Sequence, residues 1–255
     1  METVFGTANT FDRFEEGNPA GPPIRMVGEL DGRIVGFNQW LAWELPGLAL
    51  GTVYQSGASA VHPDARGLGL FGKLLTAGEA VASELQVGCF IGFPNPASTP
   101  AFLKHGWEIV TSLSLQVALA PGTAIAPLSD GLPDTVEAFP RWRYGLGGVS
   151  SVQLRAGGGR MVVRGVRTRP RVYRMLDVVD SLGRRELARL ATASAALPIG
   201  SIGIARFPGS GWRRGFVTIP RSWETPVIVK AITAPSSSAT MFAEFDFMYG
   251  DIDVG

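Results

Sequence analysis

The sequence has almost none of the residues on which metal centres and thiol chemistry depend. Cysteine occurs once, as Cys89, which excludes an internal disulfide and any zinc site built from several cysteines. The only histidines are His62 and His105, so a His-rich metal centre or a conventional His-paired nucleophile is hard to build. We therefore predict that the protein binds no metal ion.

Neither positive nor negative residues are in excess. Lys plus Arg number 23 and Asp plus Glu 22, a net charge of +1, so no basic field points to nucleic acid. The chain has no unbroken run of about 18 apolar residues, and its first residues lack a basic stretch followed by an apolar one. We predict a cytoplasmic protein with no nucleic-acid or membrane partner.

The first half of the chain has the patterns of an α/β fold. Hydrophobic residues make up 45% of the sequence, which is enough for a sizeable core. The dipeptide Asp31-Gly32 between two apolar runs predicts a hairpin, and apolar residues at helical spacing predict a helix over 70–84. The predicted elements are strands at 24–29, 33–43 and 48–61, a helix at 70–84, a strand at 87–93, a helix at 100–105 and a strand at 107–118.

The same patterns predict that the second half repeats the order of the first, after a Pro-, Ala- and Gly-rich linker at 121–133. Gly159-Arg160-Met161-Val162 resembles Gly32-Arg33-Ile34-Val35. We predict two similar halves, residues 1–120 and 134–255, although a chance similarity of hairpins stays open. The predicted elements of the second half are a hairpin of 152–155 with 160–166, a strand at 172–179, a helix at 184–196, and strands at 199–207, 227–232 and 241–249.

The most informative segment is the glycine-rich stretch from Val61 to Gly72, which follows a predicted strand and opens a helix. Glycine allows backbone torsions and close ligand approach that a side chain would block. The first turn of a helix offers unpaired N–H groups and a partial positive charge, so the segment suits a diphosphate. Its spacing matches neither a P-loop nor a dinucleotide fingerprint, and a plain tight turn is the alternative.

Two motifs in this order resemble the GCN5-related N-acetyltransferase (GNAT) superfamily. Arg66-Gly67-Leu68-Gly69 is similar to its Arg/Gln-x-x-Gly-x-Gly/Ala signature, with Phe71 where the pattern has a small residue. The run Gly92-Phe93-Pro94-Asn95 and the later Phe102-Leu103-Lys104-His105-Gly106-Trp107 resemble the strand, helix and Gly-aromatic ending that follow in the family. The resemblance implies a mixed, mostly antiparallel twisted sheet flanked by helices.

The resemblance also implies an acetyl-CoA site between two strands that separate. Backbone groups at Ala60 and Val61 would pair with the pantetheine arm, and Asn95 and Ser98 would lie beside it. Ser98 and Tyr54 are the candidates for a catalytic hydroxyl. The residues whose backbone would hold the pyrophosphate are Arg66, Gly67, Leu68, Gly69, Leu70 and Phe71.

Two features depart from the family pattern. Phe102 stands where many members carry the tyrosine that protonates the departing thiolate, and phenylalanine has no hydroxyl. Only about 23 residues precede the first predicted hairpin, too few for the strand and two helices with which the family usually begins. In the second half, Asp180 and Glu186 lie where the glycine-rich turn would recur, and acidic residues repel a diphosphate. We expect that half to complete the acceptor side without binding CoA.

The resulting prediction is an N-acetyltransferase that moves the acetyl group of acetyl-CoA to a primary amine of a small molecule or sugar precursor by direct attack. Three alternatives stay open at this point: a non-catalytic CoA- or acyl-CoA-binding module, an aminoacyl or long-chain acyl transferase, and a sheet-rich interaction protein. Homodimer formation is also left open.

Overall fold

The structure is a computed structural model, and it describes residues 17–44, 51–119, 129–130, 138–144, 149–153, 160–168, 171–178, 202–208, 217–218 and 224–234. The chain divides into two units. The first comprises Met1–Thr111, Pro226–Glu244 and Asp253–Gly255, and the second comprises Ser112–Thr225 and Phe245–Ile252. The halves predicted from sequence, 1–120 and 134–255, rest on similarity between segments and stay a prediction.

The described part of the chain holds three α-helices and twelve strands. The helices are α1 (Leu70–Glu84), α2 (Thr99–Lys104) and α3 (Ala138–Tyr144). The strands are β1 (Ile24–Leu30), β2 (Arg33–Trp43), β3 (Val53–Val61), β4 (Cys89–Gly92), β5 (Glu108–Leu119), β6 (Ser129–Asp130), β7 (Val149–Gln153), β8 (Arg160–Thr168), β9 (Arg171–Val178), β10 (Ile202–Pro208), β11 (Val217–Thr218) and β12 (Thr225–Ala231). None of the described helices is long and apolar enough to cross a membrane.

The first unit is a mixed sheet with the strand order β1-β2-β3-β4-β12, followed by the first residues of β5. The hairpin of β1 and β2 is confirmed, and it turns at Asp31 and Gly32 with φ values of 50° and 73°. Strand β3 runs parallel to β4, while β12 runs antiparallel to β4. The predicted strand at 227–232 thus pairs with β4 in the first unit, far from its neighbours in the sequence.

One face of this sheet is covered by α1, whose bounds match the prediction. The helix buries Leu74, Leu75, Gly78 and Ala82, residues spaced three and four apart, as expected of a helix with one apolar face. Beneath it, the ring of Phe90 stacks between Trp40 and Trp107, with centroid separations of 5.2 and 5.9 Å. These three fully or almost fully buried rings form the centre of the core of the first unit.

Lys230 connects strand β12 to α1 and to the end of α2. Lys230 Nζ lies 2.9 Å from Glu79 Oε2 on α1 and also donates to the carbonyl oxygen of His105, just after α2. Both side chains of the ion pair are about four-fifths buried, at 22% and 20% exposed, so the charges are less screened than on the surface. The cation also lies at the negative end of the α2 dipole.

The second unit is also a sheet. The later part of β5 pairs with β10, which runs parallel to β9, and β9, β8, β7 and β6 follow as antiparallel neighbours. Strand β11 pairs with β5 outside this order. The predicted hairpin before and after Gly157-Gly158-Gly159 is confirmed as β7 and β8. The predicted helix at 184–196 and strand at 241–249 lie outside the described residues.

Two predicted strands of the first unit were too long, and part of the predicted linker forms a strand. The strand predicted at 48–61 begins only at Val53, because residues 51 and 52 form a bend with Gly51 at a φ of 72°. The strand predicted at 87–93 is shorter, Cys89–Gly92. Within the predicted linker, Ser129 and Asp130 pair with β7. A strand of two residues is too short to show the alternation of apolar and polar residues by which strands are predicted.

Gly78→Ala tests the packing of α1 on the core. A Cβ at this position would lie 2.1 Å from the ring atom Cη2 of Trp40, a side chain that is fully buried and cannot move aside. We expect a loss of about 1–3 kcal/mol in the free energy of unfolding from the clash. The exposed change Ser83→Ala in the same helix is the control, because it alters helix propensity without a clash. Equal stability of the two variants would contradict this packing.

The lone cysteine predicts an alkaline loss of stability. Burial raises the pKa of the Cys89 thiol from 9.0 to about 12, and the side chain is fully buried. Between these values the unfolded chain releases a proton that the folded chain keeps, so stability falls as pH rises, by at most about 1.4 kcal/mol per pH unit. Urea unfolding at about pH 8 and pH 10 should show a smaller loss in Cys89→Ala than in the unchanged protein. Identical losses would refute the buried, neutral thiol.

Candidate functional site

Strand β4 ends while its parallel partner β3 continues. The parallel pairing joins Val53–Ser56 to Cys89–Gly92 and ends there, while β3 continues to Val61. On its other side, β3 stays paired with β2 as far as Val61, which lies opposite Gly36. Within the described residues, the edge of β3 from Gly57 to Val61 therefore has no strand beside it. Such an edge offers peptide donors and acceptors to an extended ligand.

The unpaired part of β3 contains a bulge. The register between β2 and β3 shifts between Phe37 and Gln39, and Ala58 has a φ of 31°. Positive φ in a residue other than glycine is uncommon, and such strain persists only where the surrounding structure enforces it. At the bulge, the Ser59 hydroxyl donates to Asn38 Oδ1 at 2.6 Å. Sequence reasoning identified neither residue as part of a site.

The turn after β3 leads directly to the start of α1. His62 begins a short 3₁₀ turn, Pro63–Ala65, and its Nδ1 accepts a hydrogen bond from the Asp64 N–H at 3.3 Å. The chain is then extended at Arg66 and left-handed at Gly67 and Gly69, with φ values of 80° and 68°. Residues with a side chain rarely adopt the left-handed backbone region, so the two glycines allow the path that the turn takes.

The N-terminus of α1 is left without a cap. Gly69 is the N-cap residue and contributes no side-chain hydrogen bond, and the first turn contains no acidic residue. The first N–H groups of a helix have no partner within the helix, and they carry the positive end of its dipole. Gly67, Leu68 and Gly69 are all exposed. This terminus can accept an anion from solvent.

Arg66 is exposed at the same place. Its Nε donates to the carbonyl oxygen of Val61 at 3.4 Å, which holds the start of the side chain over the end of β3. The guanidinium group thus adds a positive charge beside the helix terminus. Its predicted contact with a phosphate stays a prediction.

Asn95 and Ser98 follow β4, the strand that pairs with the first part of β3, and they are hydrogen-bonded to each other. Asn95 Oδ1 accepts from the backbone N–H groups of Ala97 and Ser98 at 3.0 and 2.9 Å. The Ser98 hydroxyl donates to the same oxygen at 3.1 Å. Asn95 thereby caps the chain entering α2. The two residues follow the end of β4 along the chain, and their contact with a cofactor stays a prediction.

The other candidate hydroxyl, that of Tyr54, is already engaged. Tyr54 is 5% exposed, and its Oη donates to the carbonyl oxygen of Pro22 at 3.0 Å. Burial raises the pKa of this phenol above its usual value, so it is a poorer acid than a free tyrosine. A role in proton transfer stays a prediction for Tyr54, but the hydrogen bond to Pro22 favours a structural role.

Phe102 and Phe71 meet in the core. Their rings contact edge to face with centroids 5.2 Å apart, and Phe102 makes a second such contact with Trp107 at 4.9 Å. Phe102 is 5% exposed. The large residue at 71, where the family pattern has a small one, therefore packs against α2 and its aromatic neighbours.

No protein-family model matches the sequence, and no curated protein sequence matches it. Solved structures do match. A GCN5-related N-acetyltransferase from Anabaena variabilis aligns with a TM-score of 0.63 at 13% identity, covering 91% of this chain and 68% of that chain.

Two further solved structures have the same arrangement. Eis1 from Mycobacterium abscessus aligns with a TM-score of 0.59 at 12% identity, covering 94% of this chain and 70% of that one. A tandem GNAT protein from the clavulanic acid biosynthesis pathway aligns with a TM-score of 0.50 at 16% identity, covering 86% of both chains. At these identities the likeness establishes the fold. The protein thus has a GNAT fold, which confirms the resemblance and the fold class predicted from the sequence motifs.

Replacing Asn95 separates its structural role from any contact with a ligand. Asn95→Ala removes the oxygen that accepts from Ala97 and Ser98, so we expect a loss of about 1 kcal/mol in the free energy of unfolding. Asn95→Asp keeps a side-chain oxygen in the same place and should retain most of that stability. Thermal or urea unfolding of the two variants measures the difference, and a loss of equal size in both would exclude the cap as the source of stability.

Proposed function

We propose that the protein is an acyl-CoA-dependent N-acyltransferase whose first unit binds acetyl-CoA and transfers the acetyl group to a primary amine of a small molecule or sugar precursor. The observation that carries the proposal is the unpaired edge of β3 after Ser56, which leads through the glycine turn to an uncapped helix terminus. The edge suits an extended arm with amide groups, and the terminus suits a phosphate. One CoA molecule has both features.

The residues present fit this cofactor. Peptide groups at Ala60 and Val61 lie on the unpaired edge and would pair with the pantetheine arm as an added strand does. The N–H groups between Arg66 and Phe71 would hold the pyrophosphate, and the Arg66 guanidinium would offset part of its charge. When bound, acetyl-CoA supplies an activated acyl group as a thioester.

Direct transfer makes three demands on the protein. The amine must be held in its neutral form, the thioester carbonyl must be polarised, and the departing thiolate must regain a proton. Since Phe102 has no hydroxyl and Tyr54 Oη is bonded to Pro22, Ser98 is the remaining candidate hydroxyl among those predicted from the sequence. We assign the proton return to Ser98 or to water that it orients.

A second function is favoured by one observation. Phe102 is packed among aromatic rings and offers no proton, as expected of a module that binds acyl-CoA without turning it over. Such a module would still hold the cofactor at β3 and the glycine turn. Release of free thiol from acetyl-CoA in the presence of a mixture of primary amines distinguishes the two, since only the enzyme produces it. Donors of longer acyl chain, tested in the same assay, determine which acyl group is preferred.

Gly69→Val tests whether the turn holds phosphate. Valine disfavours the left-handed conformation at a φ of 68°, so the turn must change its path and misplace its N–H groups. We expect the unchanged protein to show a rise in melting temperature with CoA, and Gly69→Val to lose most of that rise, along with thiol release.

The matched control is Gly32→Val in the hairpin turn. Gly32 has a φ of 73°, and a Cβ there would meet no atom within 4 Å, as at Gly69. Both changes should therefore destabilise the protein to a similar extent, but only Gly69→Val should impair the response to CoA. The same response to CoA in both variants would refute a phosphate site at the turn.

A further inference from the structure

We propose that Ser59, oriented by the buried amide of Asn38, is a further contact residue of the cofactor site, and that its Oγ accepts a hydrogen bond from an amide N–H of the pantetheine arm. The inference rests on the proposed function and adds to it a side chain that the motifs do not identify. It is carried by the place of Ser59 on β3, by the bulge beside it, and by the state of Asn38.

Ser59 lies on the unpaired edge of β3 and is exposed, although Asn38 beneath it is fully buried. Because the hydroxyl gives its proton to Asn38 Oδ1 at 2.6 Å, its lone pairs remain to accept a hydrogen bond. A ligand lying along this edge must then offer a donor. The pantetheine arm has amide N–H groups, and its pairing with Ala60 and Val61 would bring one of them near the preceding residue.

The bulge explains how Ser59 comes to face Asn38. With the register shift between Phe37 and Gln39, an extra residue on β3 is accommodated opposite Asn38, and Ala58 takes the positive φ. Bulges of this kind redirect a side chain and often lie next to functional sites. The strain at Ala58 is concentrated where β3 has lost its neighbour β4, so it has no role in the pairing of those two strands.

Asn38 is an expensive residue for folding alone. It is 0% exposed, and among the described atoms its Nδ2 has no hydrogen-bond partner. A buried donor without a partner destabilises the folded chain, whereas an apolar residue at this position of the strand would carry no such penalty. Among the described residues, the side chain of Asn38 makes one hydrogen bond, which it accepts from the Ser59 hydroxyl. We infer that an amide is present at this buried position because this bond orients the hydroxyl.

The test compares two ligands that share a nucleotide. CoA contains the pantetheine arm, and adenosine 3′,5′-bisphosphate contains the nucleotide without it. In Ser59→Ala we expect the Kd for CoA to rise about five-fold, the effect of losing one hydrogen bond, while the Kd for the bisphosphate stays unchanged. Ser59→Thr keeps the hydroxyl and should bind CoA nearly as the unchanged protein does. Ser83→Ala, an exposed serine on α1, is the control and should change neither Kd.

Asn38→Val tests the positioning role and keeps a residue that strands favour. Because Asn38 acts only through Ser59, the change should weaken CoA binding in the unchanged background and have no further effect in Ser59→Ala. Melting temperatures, measured without ligand, identify any variant whose fold is lost. If Ser59→Ala does not fold, Ser59→Cys replaces it, because a thiol is a weak acceptor and should also raise the Kd for CoA.

The outcomes are distinct. If the unchanged protein binds CoA and Ser59→Ala binds it equally well, the proposal is overturned and the proposed function stands. If Ser59→Ala loses both ligands equally, Ser59 has a structural role and the proposal is again overturned. If the unchanged protein binds neither ligand, the proposed function fails and this inference fails with it. Loss confined to CoA, restored in Ser59→Thr, supports the proposal.

Discussion

The end of the β3–β4 pairing at Ser56 is the constraint on which the rest of the first unit depends. Peptide groups on an exposed edge are satisfied by water, another strand or a ligand. Here the same strand continues into a turn that leaves the N-terminus of α1 uncapped a few residues later. A row of unpaired peptide groups is thus followed along the chain, a few residues later, by the positive end of a helix. An extended molecule with amides at one end and phosphates at the other satisfies both.

Strand β4 is held in place on the side opposite to β3. Strand β12 pairs with all four residues of β4, and Lys230 ties β12 to α1 and to the end of α2. Pro94 follows soon after β4 and is buried, and having no N–H it cannot extend the ladder toward β3. The stacked ring of Phe90 further anchors β4 in the core. These contacts fix β4 where it covers only the first four residues of β3, Val53–Ser56.

Local patterns account for what could be predicted from the sequence. The hairpin of β1 and β2 and the helix α1 follow from Asp31-Gly32 and from apolar spacing within one segment, and Gly67 and Gly69 stand where the backbone is left-handed. The pairing of β12 with β4 could not be predicted, because 227–232 indicates a strand without indicating its neighbour. The Asn38–Ser59 hydrogen bond depends on a β-bulge that the pattern of apolar and polar residues does not predict. The one available signal was the pair of amides, Asn38 and Gln39, inside an otherwise apolar strand.

The aromatic packing around α2 limits which groups could return a proton to the departing thiolate in the proposed reaction. The ring of Phe102 is buried against Phe71 and Trp107, in apolar surroundings where an unsatisfied polar group is costly. In the proposed reaction, the proton for the departing thiolate would therefore come from a group other than residue 102. A thiol with an ordinary pKa of about 8.5 leaves as a thiolate more readily than an alcohol does, so the chemistry needs less help from an acid. An enzyme built on this core can forgo the tyrosine and lose only the part of its rate, about 10²–10⁴-fold, that general acid catalysis typically supplies.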